Sequence, residues 1–490
     1  MPDTLFRYPG AQPFRDDEFA RRTFFGRDAV AVGLTNQILA NRLMVVYAKS
    51  GVGKTSLLNA GVAQRLRDTN TIPLFVRVND AHRDLLSSVM ETVGEEAKRQ
   101  EMEYVEGDKA SLWSFVKTVQ FWHGDILMTP ALIFDQFEEL FTLQSEEVRD
   151  KFLSELSYMV RGVPPPLRTN VSISDAPPRM HVVFSLREDF LGLLEEASDR
   201  IPQIMDNRFR LMPLDRTAAA DAITLPAEIE FPNVATKPFR LGPEVVPSIL
   251  DYLTRSTAGG HTTSKRYVEP FQLQLICQRI EQTVAAKQKA SGEGAEFNLN
   301  DLGGEAALSA TLTSFYEDAI YSLPRRRLRR GARRMCEELL ISPQGRRLSL
   351  EEHELQDQLK LPSEALVQLV ERRLLRTDRR ADSTYYELSH DALVQPILTR
   401  SRTQALALGC LTFAGGAISL FWALACALCA IILPIAIYFG AFNELRGDKW
   451  FLLAGLPFYL LLAVGLGYVG RKWLKSAMRT QRRYRRRTSV

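Results

Sequence analysis

At 490 residues the chain is long enough for about three domains at roughly 150 residues each, and its formal net charge of +4 is small. Nine of its 62 Lys and Arg, and no acid, fall in residues 471–490, so the rest of the chain holds fewer bases than the 58 acids and its overall charge does not imply nucleic-acid binding by the whole protein. The five cysteines, three of them in apolar runs, show no spacing of a disulfide framework or zinc site, and the opening MPDTLFRYPGAQPFRDDEF lacks the basic and apolar regions of a secretory signal, so a reducing, cytosolic start is expected.

Residues 1–35 read as a segment leading into a nucleotide-binding domain over 36–212. LMVVY, residues 43–47, is a buried-strand run that passes directly into AKSGVGKTSLLNAGVAQRL, a loop and then a helix with Leu57, Leu58, Val62 and Leu66 on one face. The Walker A pattern needs G-x-x-x-x-G-K-[ST]; Gly53, Lys54 and Thr55 match it, while Ala48 stands at the first glycine. Backbone N–H groups from Ser50, Gly51, Val52, Gly53, Lys54, Thr55 and Ser56 would wrap the phosphates of ATP or ADP, with a helix N-terminus behind them. Lys54 would reach the β and γ phosphates, and the Thr55 hydroxyl would hold Mg²⁺.

LFVRV, residues 74–78, supplies another strand, and PALIFDQFEELF, residues 130–141, supplies the partner motif. Asp135 ends its strand where a carboxylate can take Mg²⁺, and Glu138 or Glu139 can orient or deprotonate an attacking water, Glu138 being preferred. HVVFSLRED, residues 181–189, gives a further strand with Arg187 just past its end, placed to read a γ-phosphate or to pair with Glu188 or Asp189. Together these runs predict an α/β P-loop core with a parallel sheet, and the catalytic candidates are Lys54, Asp135, Glu138 and Arg187.

Residues 213–322 read as a helical domain broken at STAGGHTTSK and KASGEGAEF. Residues 323–400 contain helix EEHELQDQL, helix SEALVQLVERRLL and a two-stranded wing RTDRRADSTYYEL, a winged-helix pattern. PRRRLRRGARR, residues 324–334, carries seven arginines that suit DNA or simply solvate a helix near anionic lipid; Glu364 and Glu371 on the candidate recognition helix argue against DNA. His390 in YYELSHD can be a catalyst, a folding residue that caps a helix or packs in a core, or a sensor of something bound far away in sequence, with Asp391 the better cap.

Thr403 to Asn443 is a 41-residue run without charge, about 60 Å as a helix against a hydrocarbon core of about 30 Å, and Trp450 to Gly470 is a second uncharged segment. Two transmembrane α-helices are expected within 401–470, at about 416–442, where Pro434 can kink the first, and 450–470. The basic tail 471–490 would then lie in the cytoplasm with the nucleotide domain, making the chain a multi-pass inner-membrane protein in contact with lipid.

YPGAQPF (8–14), FFGRD (24–28), SGVGKTSLLNAG (50–61), IFDQFEELF (133–141), VVFSLREDFLGLL (182–194), VEPFQLQLIC (268–277) and YYELSHDAL (385–393) together resemble the novel STAND NTPases, signal-transduction P-loop ATPases related to AP-ATPases and NACHT proteins. The resemblance covers about residues 5 to 400; the departures are Ala48 and the lack of a ligand-sensing repeat array. It implies a P-loop domain, a helical domain and a winged helix that closes over the nucleotide. It also implies that His390 contacts the β-phosphate of ADP as a latch that ATP releases, giving an oligomeric on state. On this reading the chain is a slow ATPase switch, driven by an unknown trigger protein or ligand, whose membrane segments act as effector in antiviral or other conflict-type defence. The rivals are a membrane-anchored energy-coupling ATPase, disfavoured because the spans carry no ionisable residue, and a membrane-tethered winged-helix DNA regulator.

Overall fold

The computed structural model describes residues 5–438 apart from 79–83, 167–172, 259–260, 265, 292–295, 343 and 381–382, and beyond these 457, 460–472 and 475. The chain divides into two units, 1–340 with 347–393 and 341–346 with 394–490.

The first unit is organised by a five-stranded sheet of β1 (Leu43–Ala48), β2 (Thr71–Val76), β3 (Thr129–Asp135), β4 (His181–Arg187) and β5 (Arg208–Arg210), in the order β2-β3-β4-β1-β5 with parallel pairing throughout. Strand side chains alternate between faces, so a parallel strand covered on both faces must be apolar at nearly every position. Val45, Leu132, Phe134, Val182 and Phe184 enter the core on one face. Met44, Val46, Ala131, Ile133 and Val183 enter the core on the other, against the helix that follows the P-loop. That helix, α1, runs through Lys54–Ser56, a π-helical turn at Leu57–Val62 and Ala63–Arg67. The expected core is therefore present; the short β5 is an addition that a three-residue run does not announce.

Parallel pairing brings the carboxyl ends of the strands to one edge, the place where open α/β sheets bind ligands. The register puts Ala48 beside Arg187 and Asp135 beside Ser185. Strand pairing thus brings the strand ends that carry Asp135 and Arg187 next to each other and to the start of the phosphate loop.

The segment after the sheet is helical, with α2 (Arg216–Glu228), α3 (Val245–Thr254), α4 (Pro270–Ser291) and α5 (Glu305–Ser322). STAGGHTTSK, expected as a polar break between helices, contains an antiparallel pair, Arg255–Ala258 with His261–Ser264. Then come α6 (Arg326–Arg334), β6 (Leu350–Glu351), α7 (Glu352–Leu359), α8 (Ser363–Glu371), β7 (Leu375–Arg380) and β8 (Ser383–Leu388). β8 lies between β6 and β7 in an antiparallel sheet, so three strands stand where a two-stranded wing was expected. The second helix also stops earlier than SEALVQLVERRLL suggests: Arg373 adopts a left-handed conformation (φ 57°), and Leu375 already belongs to the strand.

The N-terminal residues are fastened to the helical segment by a buried ion pair. Arg7 and Glu281 are 3.5 Å apart, with side chains 1% and 0% exposed. Glu281 also accepts the backbone N–H groups of Arg7 and Tyr8 at 3.0 and 3.2 Å, and Arg7 donates to the carbonyls of Thr236 and Ile229, each at 2.8 Å. Burial raises the Glu281 carboxyl, opposed by the backbone N–H groups of Arg7 and Tyr8 and by the Arg7 charge, and burial lowers Arg7.

In the second unit, α9 (Val394–Tyr438) is one continuous helix. Its stretch Ala414–Ile432 is long and apolar enough to cross a membrane, with exposed Ile418, Phe421, Trp422 and Leu424. The expected second segment, 450–470, is described only in part: 460–472 is helical, and residues 439–456 lie outside the described residues, as does most of the basic tail. Gly470 approaches Gly416 and Leu420, while Gly467 faces Ala423. Partner numbers fall as the chain advances, so the two helices run antiparallel.

Replacing Glu281 by Ala strands a buried guanidinium and is expected to cost about 3–5 kcal/mol in denaturant unfolding, much of it recovered in an Arg7→Leu/Glu281→Leu chain. Equal losses in the single and double variants would contradict this.

Candidate nucleotide site

The phosphate loop between β1 and α1 turns at Gly51 (φ +78°) and Gly53 (φ +99°), both in the left-handed region that glycine enters without strain. Its tip lines a cavity of about 320 Å³ with Ser50, Gly51, Val52, Gly53, Lys54, Thr55 and Ser56. Asp135, Glu138 and Arg187 line the same cavity, so the residues expected from separate motifs converge there. Ala48 sits in β1 and is 1% exposed, accommodated within the strand rather than in the turn.

Asp135 is positioned from two sides. Thr55 donates its hydroxyl to one carboxylate oxygen at 2.9 Å, and Ser185 donates to the other at 2.9 Å. This hydroxyl–carboxylate pair has the oxygen chemistry that suits Mg²⁺, and Thr55 and Asp135 would hold the ion, which would supply positive charge against the phosphates. Arg77 approaches Asp135 at 3.5 Å, a basic neighbour that the strand pattern did not single out.

Glu138 is buried and accepts the backbone N–H of Arg187 at 3.3 Å. Burial raises its carboxyl above the ordinary range, partly offset by Lys54. A fixed, more basic carboxylate beside the phosphate loop suits a general base. Burial also lowers Lys54, whose ammonium donates to the Ala48 carbonyl at 3.4 Å. Glu139 starts the helix Glu139–Leu143, with Glu138 preceding it as the residue that faces the cavity.

Arg187 does not stand alone at its strand end. Its guanidinium pairs with Asp189 at 2.7 Å, lies over the Phe190 ring and reaches Glu387 of β8 at 3.6 Å. Both readings made from the sequence, phosphate reader and local ion pair, are compatible with this position. Glu387 also pairs with Arg376, the residue directly opposite it on β7, and Arg376 donates to the Ser50 hydroxyl at 3.1 Å. Arg376 and Glu387 were missed, although pairing RTDRR with STYYEL across the wing turn would have set them opposite one another.

His390 closes the same contact. A Cβ built on Gly51 would lie 1.8 Å from His390 Nε2, so the loop and the imidazole meet only because position 51 lacks a side chain. The ring stacks on Phe271 at 4.4 Å between centroids, and its Nδ1 accepts the Ala392 N–H at 3.0 Å. His390 therefore caps its own turn through one nitrogen and faces the phosphate loop with the other side of the ring. Asp391, expected as the cap, instead pairs with Arg347 at 2.6 Å. Burial, then repulsion from Arg347, pulls His390 from 6.5 down to about 4 against the opposing influence of Asp391.

The remaining cavity wall comes from parts that carried no expected role: Gly10, Pro13, Phe14, Phe24 and Phe25 of the N-terminal segment, with Phe271 and Leu273 of α4. Phe14 and Phe24 meet edge to face at 5.1 Å. Apolar and aromatic side chains in the same cavity as the phosphate loop, with the Phe14 N–H donating to the Ser56 hydroxyl at 3.2 Å, suit a purine base. The Arg7–Glu281 pair fixes the chain immediately before Gly10.

Strand, phosphate loop, helix, a buried strand-end aspartate held by the loop threonine, and a glutamate beside the lysine define a P-loop NTPase. A model of the novel STAND NTPase 1 family matches residues 8–396, and the chain belongs to that family. It is an ATP-binding NTPase of the switch type. Solved structures similar to it include the Walker-type ATPase PABY2304 of Pyrococcus abyssi, at 12% identity and TM-score 0.38 over 79% of this chain and 98% of that one. Others are Cdc6p from Pyrobaculum aerophilum, at 12% and 0.36 over 80% and 97%, and the ORC2 protein of Aeropyrum pernix in its ADPNP-ADP complexes, at 12% and 0.38 over 77% and 95%. No curated protein matches the chain.

A Gly51→Ala substitution is expected to push His390 off the loop and to strain the backbone by about 1–3 kcal/mol, seen as faster proteolysis after β8. Unchanged cleavage would contradict the contact. Because the docked His390 has the lower value, docking is complete above pH 6.5 and weakens as pH falls toward 4, by up to about 3 kcal/mol. A His390→Gln chain should lose that pH dependence in the same proteolysis assay.

Proposed function

We propose that the chain is an ADP-held, ATP-released switch in which residues 323–393 form a winged helix that closes the nucleotide cavity. The observation that carries this reading is the meeting of His390 with Gly51, since a residue far along the chain packs on the loop expected to hold the β-phosphate. The chemistry assigned to the site follows from its residues. Lys54 and the loop N–H groups bind and orient the phosphates, Glu138 takes the proton of the attacking water, and Arg187 senses the γ-phosphate. Thr55 and Asp135 hold Mg²⁺.

Release of the wing would free its surface for homo-oligomer formation, with the membrane as the site of output. Supporting this are the exposed apolar side chains of Ala414–Ile432, the antiparallel approach of 460–472, and the short distance in sequence from His390 to the start of α9 at Val394. With two spans the nucleotide domain and basic tail share the cytoplasmic side of the inner membrane, and clustering of the hairpins would deform or breach the bilayer, an output suited to conflict defence. The trigger is a protein or ligand of another chain. An energy-coupling role is weakened because no charged residue occurs in Ala414–Ile432 to mark a solute path.

Lys54→Ala is expected to abolish nucleotide binding, whereas Glu138→Gln should retain binding and slow hydrolysis by about 10²–10⁴-fold. In cells, loss of membrane potential and growth should require Lys54 and the residues beyond about Arg402, and should increase in His390→Ala. Equal toxicity of Lys54→Ala and the parent would remove nucleotide control.

A further inference from the structure

We propose that Glu387 is a built-in competitor of the γ-phosphate: one carboxylate that occupies the two guanidinium groups a nucleoside triphosphate would draw away. Arg187 and Arg376 both line the nucleotide cavity. Arg187 comes from the end of a core strand and Arg376 from the wing, so they belong to different parts of the first unit. Glu387 links them, at 3.6 Å from Arg187 and in direct contact with Arg376. Its side chain is 12% exposed, so water screens the interaction little.

The strand register fixes this arrangement. Arg376 and Glu387 are a cross-strand pair, which aims both side chains from one face of the wing. Arg376 extends past its partner to the Ser50 hydroxyl, placing a wing cation on the phosphate loop itself. Burial lowers Arg376 from its ordinary value, and Arg187 and Arg347 add repulsion, so a second cation in this space requires a nearby anion. Glu387 supplies it in the closed form.

A terminal phosphate carries more charge and more acceptor oxygens than a carboxylate, and guanidinium binds both bidentately. A γ-phosphate that captures Arg187 therefore takes away one of the two cations holding Glu387, and the wing loses a tie to the core strand. A diphosphate leaves that tie in place. Glu387 thus sets the preference between nucleotides by opposing ATP, while His390 favours ADP through its own contact at Gly51; Glu387 is a positioning residue, acting through Arg187 and Arg376. The inference rests on the switch reading above and adds to it the group that opposes the triphosphate.

The test is the affinity of the full chain, in detergent micelles, for ADP and for a non-hydrolysable ATP analogue. Glu387→Gln, nearly the same shape without the charge, is expected to tighten the analogue by at least about tenfold while moving ADP by less than about threefold, the scale of one charge-assisted hydrogen bond. In an Arg187→Ala background the same substitution should give no gain, and Glu387→Asp should keep the parent ratio. A Glu387→Gln chain whose two affinities fall together, or whose ratio does not change, overturns the competitor role and leaves the switch reading standing. A parent chain that binds neither nucleotide, like its Lys54→Ala control, overturns both.

Discussion

The closed arrangement depends on a contact that a single methyl group would forbid, the approach of the His390 imidazole to the backbone of the phosphate loop at Gly51. Most of the surrounding structure follows from making that approach possible. Phe271 provides the flat surface that orients the ring, Ala392 fixes its tautomer, and burial keeps it neutral so that no charge is desolvated against the loop. Gly51 is at once a left-handed residue of the phosphate loop and the position that the imidazole meets.

Around that contact the site is assembled from pieces distant in sequence but adjacent by strand pairing. The parallel sheet sets Ala48 beside Arg187 and Asp135 beside Ser185, and the wing sheet sets Arg376 opposite Glu387. The resulting chain of groups runs from the loop hydroxyl of Ser50 through Arg376 and Glu387 to Arg187, whose backbone N–H holds Glu138. The residues proposed for phosphate binding, water activation and closure therefore share one polar network, the condition under which the proposed switch could be biased by a ligand's differential affinity. The buried Arg7–Glu281 pair extends this by tying the segment before the apolar wall to the helix that also carries Phe271.

The sequence made the local chemistry legible where one short window held the whole instruction. The loop Ser50 to Ser56 and the strand end at Asp135 could be read because strand, turn and helix are contiguous, and the apolar runs marked both faces of the sheet. Arg187, expected just past its strand, is the strand's last residue, and its partner Glu387 was not visible, since the pairing joins residues 200 positions apart. Of the readings of His390, the cap is present in the hydrogen bond from the Ala392 N–H to Nδ1, while Nε2 faces the loop at Gly51. The aromatic wall from residues 10–25 was hidden for a further reason: Phe14 and Phe24 look like ordinary core residues until the fold turns them toward a cavity. In the apolar end, length and composition identified a helix suited to a bilayer, whereas the close approach at Gly470 required coordinates.

The most direct measurement is backbone hydrogen exchange across residues 383–391 in the full chain, saturated first with ADP and then with a non-hydrolysable ATP analogue. The account predicts strong protection with ADP and its loss, by roughly tenfold or more, with the analogue. Equal protection in both states would contradict nucleotide control of wing docking.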